Sequence, residues 1–229
     1  MAESALSEVE ARAQVSAGAS SEAIYRMVAQ ALSKECGSGQ DFSLVDIGCG
    51  NGGLWPHVNS YIGSYTGIDI ICYDGFPRHL PFIQHNLEVG DIPLAEAAID
   101  IVVSVETIEH VENPRAFMRE LTRLVKPGGW VVVTTPNQLS LLSKLTLLFK
   151  NQFNAFQDAP GQYPAHITAL LEIDLYRTAA ESGLENIKIY YSNQGRLPLT
   201  SWSWPSGLGF RGRSFSDNIL CIGQKPIKV

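Results

Sequence analysis

A glycine cluster at the end of an apolar run constrains this sequence more than any other feature. The run Phe42–Ile47 leads directly into Gly48-Cys49-Gly50-Asn51-Gly52-Gly53. Glycine lets the backbone turn sharply and approach a ligand where a Cβ would clash. A helix after such a loop presents free backbone N–H groups to a polar or anionic group. The segment therefore predicts a strand, a tight loop and a site for a nucleotide-type cofactor, without deciding which cofactor.

The rest of the chain alternates short strand-like runs with helical stretches, which is typical of an α/β protein. After the fourth run, Asn113 supplies a helix cap and Pro114 a first turn, and Lys126-Pro127-Gly128-Gly129 indicates the helix end and a turn. We expect a doubly wound, mostly parallel sheet of seven strands with the last strand antiparallel. The predicted strands span residues 42–47, 65–70, 81–85, 99–105, 130–135, 187–191 and 218–222.

The length of 229 residues favours a single domain over 1–229. Residues 1–40 are expected to form a helical leader, with Ser20 or Ser21 as a helix cap. Residues 136–166 leave the carboxyl end of the fifth strand, where open sheets bind ligands, so this leucine-rich stretch is interpreted as a cap over the site. Residues 194–216 are predicted to form a loop between the last two strands. Its Trp202 and Trp204 either wall an apolar ligand or fill a dimer contact.

Composition limits the partners. The net charge of −6 argues against nucleic acid as the main partner, because such proteins usually carry a basic face. The four cysteines are scattered and no metal-binding spacing is present, so no metal is expected. No apolar run reaches the roughly 20 residues of a membrane-spanning helix, and the acidic N-terminus is unlike a secretory signal. We expect a cytoplasmic monomer or homodimer that acts on a small molecule.

Asp69 is predicted to close the second strand, seventeen residues beyond Gly52. A carboxylate there can accept hydrogen bonds from both hydroxyls of a ribose. This role occurs in proteins that bind NAD and in proteins that bind S-adenosylmethionine. The glycine loop and Asp69 together thus leave a nicotinamide-dependent reductase as a rival interpretation.

Four ordered motifs carry a resemblance to the class I methyltransferases, which depend on S-adenosylmethionine. Over residues 44–137 the chain resembles in particular the group that includes quinone, sugar and natural-product O-methyltransferases. The motifs are Val45-Asp46-Ile47-Gly48-Cys49-Gly50, Gly67-Ile68-Asp69-Ile70, Ser104-Val105-Glu106-Thr107-Ile108-Glu109-His110-Val111 followed by Asn113-Pro114, and Leu124-Val125-Lys126-Pro127-Gly128-Gly129 leading to Thr135-Pro136-Asn137.

The resemblance implies S-adenosyl-L-methionine as cofactor and S-adenosyl-L-homocysteine as product. It places Asp46 near the cofactor's ammonium and Asp69 on its ribose. Asn86 departs from the family, which usually shows an aspartate beside adenine, although an amide can still pair with adenine. The implied cofactor-binding residues are Asp46, Gly48, Cys49, Gly50, Asp69, Ile70, Asn86, Leu87, Val105 and Glu106.

The expected reaction is in-line transfer of a methyl group to an oxygen of a small-molecule acceptor. A hydroxyl nucleophile benefits from a base, and histidine titrates near neutrality. His166 follows the leucine-rich stretch, and His110 lies four residues after Glu106, so both histidines are candidate catalytic residues. Positioning without any base, and a non-catalytic protein that binds the cofactor, are the alternatives.

Overall fold

A computed structural model describes residues 9–10, 13–14, 18–37, 41–159, 163–198, 200, 202–205 and 209–227. Strands β1 to β5 are Phe42–Ile47, Ile62–Asp69, Phe82–Gln84, Ile99–Ser104 and Val125–Pro136, and β6 and β7 are Glu185–Tyr191 and Asn218–Gln224. Helices α1 to α5 are Glu22–Glu35, Trp55–Val58, Pro114–Leu124, Leu141–Lys150 and Glu172–Glu181, with 3-10 turns at Ile108–His110 and Asn154–Phe156.

The seven strands form one sheet in the order β3-β2-β1-β4-β5-β7-β6. Strands β1 to β5 run parallel, whereas β7 pairs antiparallel with both β5 and β6. The predicted doubly wound sheet with an antiparallel last strand is therefore confirmed. The strand order reverses between β1 and β4, and such a switch point opens a crevice at the carboxyl ends of the strands.

Alternate residues of the central strands serve the two faces of the sheet, because strand side chains point to opposite sides in turn. Val45 and Ile47 pack with helices α3 and α5, whereas Leu44 packs with α1. Both faces are thus buried, as a parallel sheet requires. The buried helix residues behind this packing are Phe117, Met118, Leu121, Leu175 and Ala179 on one face and Ile24, Met27, Val28, Ala31 and Leu32 on the other.

Several predicted boundaries shift. Strand β2 begins at Ile62, three residues before the predicted start, and β5 begins at Val125 instead of Trp130. The predicted turn at residues 126–129 is wrong as a strand boundary. Gly128 adopts φ +81 and donates to the Lys225 carbonyl at 2.8 Å, so the chain bends yet keeps its pairing.

The helix caps differ in quality. Asn113 accepts a hydrogen bond from the Ala116 backbone N–H at 3.0 Å, and Pro114 opens α3 as predicted. Ser21 occupies the cap position of α1, but its side chain makes no capping hydrogen bond. Residues 70–81 contain no helix, in agreement with the short link that the sequence allows between the second and third strands.

Candidate functional site

A cavity of about 270 Å³ opens at the carboxyl ends of β1, β2 and β4, beside the switch point. All ten residues that the resemblance assigned to the cofactor line it, and so do both candidate histidines. Motifs spread over residues 46–166 are thus brought together around one cavity. These lining residues are Asp46, Gly48, Cys49, Gly50, Asp69, Ile70, Asn86, Leu87, Val105, Glu106, His110 and His166.

The glycine loop has the left-handed backbone that its composition predicts. Gly48, Gly50 and Gly52 adopt φ values of +74, +53 and +77. The sequence analysis expected a ligand to approach these glycines where a Cβ would clash, but the nearest atoms belong to the protein. A Cβ on Gly48 would lie 2.2 Å from the Thr107 hydroxyl oxygen, and one on Gly50 would lie 2.1 Å from the Gly18 carbonyl oxygen. These two glycines admit protein neighbours at the Cβ positions, not a ligand.

Asp69 ends β2 with its carboxylate held by the backbone. Its Oδ2 accepts from the Gly50 N–H at 2.8 Å, and its Oδ1 accepts from the Ile70 N–H at 2.7 Å. Burial raises the pKa of Asp69, and these backbone donors oppose the rise because they favour the ionised form. The carboxylate is thus fixed at the cavity wall, in an orientation set by the glycine loop itself.

Asp46 is a buried acid with unused hydrogen-bonding capacity. Its Oδ2 accepts from the Tyr65 hydroxyl at 2.5 Å, while its Oδ1 has no hydrogen-bond partner among the described residues. Burial raises the pKa of Asp46 to about 7. A buried oxygen without a partner is costly, and a cationic group in the cavity would offset that cost. The position therefore fits the ammonium of an amino-acid cofactor.

Glu106 is a second buried acid, at the end of β4. Its φ of +49 lies in the left-handed region, which non-glycine residues rarely adopt and which often marks functional sites. The side chain accepts from Asn218 Nδ2 at 2.8 Å, and the backbone N–H donates to Thr134 Oγ1 at 2.9 Å. Burial raises the pKa of Glu106 to about 7. Acidic groups thus border the cavity at both β1 and β4.

The segment after β3 contributes Asn86 and Leu87 to the cavity lining. Asn86 Oδ1 accepts from the Glu88 backbone N–H at 3.0 Å, which turns the chain after β3. Leu87 packs partly buried against the core, and Ile70 is buried beside it in the cavity lining. An apolar wall with an adjacent amide suits a flat heterocycle.

His110 and His166 lie edge to face, with ring centroids 4.8 Å apart. Nδ1 of His110 is 2.8 Å from the Ala165 carbonyl oxygen, and Nδ1 of His166 is 2.9 Å from the Ala155 carbonyl oxygen. A carbonyl only accepts, so Nδ1 of each histidine carries a proton toward its carbonyl partner. Burial and the neighbouring His110 lower the pKa of His166 to about 4, so its ring is neutral at pH 7.

Glu109 lies beneath the two histidines and is fully buried. Its Oε1 is 3.9 Å from Nε2 of His166, and burial together with Glu106 raises the pKa of Glu109 well above its usual range. The donor atoms of Glu109, His110 and His166 lie within 4.8 Å of one another. Within the described part of the chain, these three residues are the group able to hold a metal ion, although the sequence predicts none.

The leader forms part of the cavity wall, which the sequence analysis missed. The Gly18 carbonyl accepts from the Asn51 N–H at 2.8 Å, and the Tyr25 hydroxyl accepts from the Ser20 N–H at 3.0 Å. No local motif distinguishes these positions, because they meet the glycine loop only in the folded chain. Further lining residues outside the predicted set are Val9, Ala13, Gly18, Ala19, Ser20, Ser21, Ile24, Tyr25, Tyr73, Glu88, Thr107 and Val111.

A second cavity of about 260 Å³ adjoins the first. Both are lined by Ser21, Ile24 and His166, so His166 stands at their boundary. The stretch 136–166 contributes polar residues to this second cavity, and 194–216 contributes Gln194 and Arg196.

The leucines of 136–166 line neither cavity among the described residues, although a cap over the site would be expected to use them. The two tryptophans of the loop 194–216 also line neither cavity. Trp204 packs against Phe210 and Phe215, and Trp202 is 73% exposed, so neither walls a ligand in the described structure.

Comparison with known proteins identifies the family. The sequence pattern of the methyltransferase domain family matches residues 18–189, three quarters of the chain. The chain belongs to this methyltransferase family. It is a class I methyltransferase that depends on S-adenosylmethionine, which decides between the two cofactors that the glycine loop left open. Within the described residues, no helix of this methyltransferase is both long and apolar enough to cross a membrane.

Curated relatives match the methyltransferase over part of their length. It is 32% identical over 111 residues to a ubiquinone biosynthesis O-methyltransferase of Cereibacter sphaeroides, with 43% of each chain covered. A Burkholderia pseudomallei enzyme of the same name is 29% identical over 154 residues, with 64% of this chain and 66% of the relative covered. A norajmaline N-methyltransferase of Rauvolfia serpentina is 32% identical over 101 residues, covering 40% of this chain and 35% of the relative. The chain spans less than two thirds of the length of each.

Solved structures share the fold at low sequence identity. A methyltransferase of Thermotoga maritima, described as a possible histamine N-methyltransferase, superposes with a TM-score of 0.62 at 18% identity, covering 88% of this chain and 89% of that one. A methyltransferase of Archaeoglobus fulgidus gives 0.60 at 16% identity, with 88% and 94% covered. These similarities support the Rossmann-like architecture.

Proposed function

We propose that this methyltransferase transfers a methyl group to an oxygen of a small-molecule acceptor. The observation that carries the proposal is a single cavity lined by Asp46, Asp69 and His166. His166 also lines a second, adjoining cavity. O-methyltransferases among the relatives support oxygen as the acceptor atom.

Different residues of the first cavity would bind different parts of the cofactor. Asp69 would accept hydrogen bonds from the ribose, Asp46 would face the ammonium, and Asn86 with Leu87 and Ile70 would flank the adenine. When bound, S-adenosylmethionine supplies a methyl group that is already activated by its sulfonium. The protein must then chiefly align the acceptor and exclude water.

His166 would remove the proton from the acceptor hydroxyl. Its Nε2 carries the lone pair because Nδ1 donates to the Ala155 carbonyl. A pKa of about 4 keeps the ring ready to accept a proton at neutral pH, although it limits its strength as a base. The Glu109 carboxyl group lies 3.9 Å from Nε2 of His166, and because its pKa is raised it would have to ionise before it could stabilise the protonated ring. His110 would hold the pair in place through its contact with Ala165.

Calorimetry and a transfer assay test this proposal. S-adenosylmethionine and S-adenosylhomocysteine are expected to bind, whereas NADH is not. Transfer of labelled methyl to hydroxylated acceptors is expected, with little transfer to amines of similar shape. Failure to bind either sulfur compound, or transfer to amines alone, would contradict the proposal.

A further inference from the structure

The second cavity offers a place for the acceptor whose chemistry can be deduced from its walls. It meets the cofactor cavity at Ser21, Ile24 and His166. A molecule in it would therefore lie against the proposed base and next to the end of the cofactor cavity. At about 260 Å³ it is near the lower limit of ligand pockets, which favours a small occupant.

The walls of this cavity are unusually polar for a ligand pocket, since such pockets are mostly apolar. Ile24, Pro136 and Ala155 are its apolar lining residues. The other residues bear hydroxyl, amide, imidazole or charged groups, and they come from the cap of α1, from the segments after β5 and β6, and from residues 217–218 at the start of β7. These are Ser21, Asn137, Gln138, Ser140, Ser143, Asn154, His166, Gln194, Arg196, Asp217 and Asn218.

Hydrogen bonds hold one wall of the cavity in a defined arrangement. Gln138 Nε2 donates to the Pro136 carbonyl at 2.9 Å, and the Ser143 hydroxyl donates to Gln138 Oε1 at 3.3 Å. The Asn154 N–H in turn donates to the Ser143 hydroxyl oxygen at 3.3 Å. Gln138 and Ser143 are each 2% exposed. The polar groups are therefore built into the fold and form a preorganised surface.

Arg196 and Asp217 form a pair on the opposite wall. Nε of Arg196 donates to Asp217 Oδ2 at 2.8 Å, and its backbone N–H donates to Oδ1 at 3.3 Å. These contacts occupy the Nε edge of the guanidinium. Within the described residues no hydrogen bond engages its two Nη groups, which suit an oxygen of a ligand. The pair leaves this wall close to neutral overall.

We infer that the second cavity binds the methyl acceptor and that this acceptor is a small, polyhydroxylated molecule with an oxygen for Arg196. The inference rests on the proposed function. A hydrocarbon chain placed here would strip water from amides and hydroxyls without replacing their hydrogen bonds, which is unfavourable. The apolar residues of the neighbouring helix α4 do not compensate, because Leu148 and Phe149 are 74% and 79% exposed and line neither cavity.

Ligand-observed NMR on the full chain saturated with S-adenosylhomocysteine tests the inference without requiring turnover. The probes are methyl gallate and quinate, which are small and polyhydroxylated, and octyl gallate, which has the same ester head group as methyl gallate with a longer hydrocarbon chain. Methyl gallate or quinate is expected to bind, and octyl gallate is expected to bind at least tenfold more weakly than methyl gallate. Octyl gallate binding as tightly as methyl gallate, or neither polar probe binding, would overturn the inference.

A matched pair of arginine variants assigns the binding to this cavity. Arg196→Met keeps the aliphatic stem and removes the guanidinium, so it is expected to weaken polar-probe binding at least tenfold. Arg213→Met removes a guanidinium that pairs with Glu172 outside both cavities, so the affinity for the polar probes is expected to stay the same. Equal binding by both variants would contradict the assignment. Calorimetry with S-adenosylhomocysteine separates the claims, since its failure to bind would count against the proposed function itself.

Discussion

The two adjoining cavities have similar volumes but are built by different means. In the first, backbone groups hold the key side chain, as when the Gly50 and Ile70 N–H groups fix the Asp69 carboxylate. In the second, side chains bridge one stretch of the chain, as when the Ser143 hydroxyl donates to Gln138 Oε1 and Gln138 Nε2 donates to the Pro136 carbonyl. A carboxylate held by backbone donors keeps its orientation when neighbouring side chains change, whereas a wall made of side chains can be altered one residue at a time. If the first cavity binds the cofactor and the second the acceptor, as we propose, the acceptor site is the more easily altered of the two.

The boundary between the cavities is the most sensitive point for this comparison. His166→Ala is expected to lower turnover by about 10²–10⁴-fold, the usual contribution of a positioned base. The dissociation constant for S-adenosylhomocysteine is expected to change less than threefold, because no cofactor group is assigned to this ring. Steady-state kinetics and calorimetry measure the two quantities.

A second histidine variant serves as the control for that prediction. His79→Gln changes a ring that packs edge-on to Trp55, away from both cavities, and is expected to leave turnover intact. If His166→Ala turns over normally, the base lies elsewhere or none is used. If it loses cofactor binding as well, the boundary between the cavities is not where we place it.

Within the cofactor cavity, Asp69→Ala is expected to weaken cofactor binding by about 1.5–3 kcal/mol, the scale of hydrogen bonds to a charged group. Two backbone donors also lose their acceptor, which adds to the effect. Asp74→Ala, an exposed change in the same link between β2 and β3, is the matched control and is expected to bind normally. An unchanged dissociation constant for the Asp69 variant would remove the ribose role.

The buried acid Asp46 predicts a smaller effect that depends on pH. Because burial raises its pKa to about 7, the neutral form favours folding, and this contribution to the free energy of unfolding is lost as pH rises through 7. A bound ammonium prefers the ionised form. The affinity for S-adenosylmethionine should therefore rise by up to about tenfold from pH 6 to 8, since a tenfold change in affinity corresponds to one pKa unit. Below pH 7, binding should release a proton from Asp46.

Calorimetry in two buffers of different ionisation enthalpy measures that proton release. Asp46→Asn is expected to reduce both the release and the rise in affinity. The remainder is expected from Glu106, whose pKa also lies at about 7 and whose side chain lines the same cavity. Equal proton release by the variant and the natural chain would show that Asp46 does not face the ammonium.

The residues that line the first cavity could be predicted from the sequence because their signals are local. Asp69 ends one strand and Gly48 follows another, and each can be recognised from its sequence neighbours alone. Parallel strands then bring their carboxyl ends together without further information. The alternation of strands and helices predicted the mostly parallel sheet for the same reason, but it did not by itself indicate the antiparallel last strand.

The second cavity could not be predicted, because its lining residues meet only through the fold. Arg196 and Asp217 are twenty-one positions apart and pair across a loop. The leader approaches the glycine loop through Gly18, a contact that no periodicity signals. Trp204 was predicted to wall an apolar ligand or to fill a dimer contact, yet it packs against Phe210 and Phe215 of its own loop. Side-chain type alone does not indicate which long-range neighbour a residue will find.

A crystal structure of the methyltransferase with S-adenosylhomocysteine tests the central claim most directly. We predict that the ribose hydroxyls lie within hydrogen-bonding distance of the Asp69 carboxylate and the ammonium within reach of Asp46 Oδ1. Adenine is expected beside Asn86 and Leu87, with the second cavity left open to an acceptor. Density for the adenosyl group in the second cavity, or an Asp69 carboxylate that does not contact the ligand, would contradict the account.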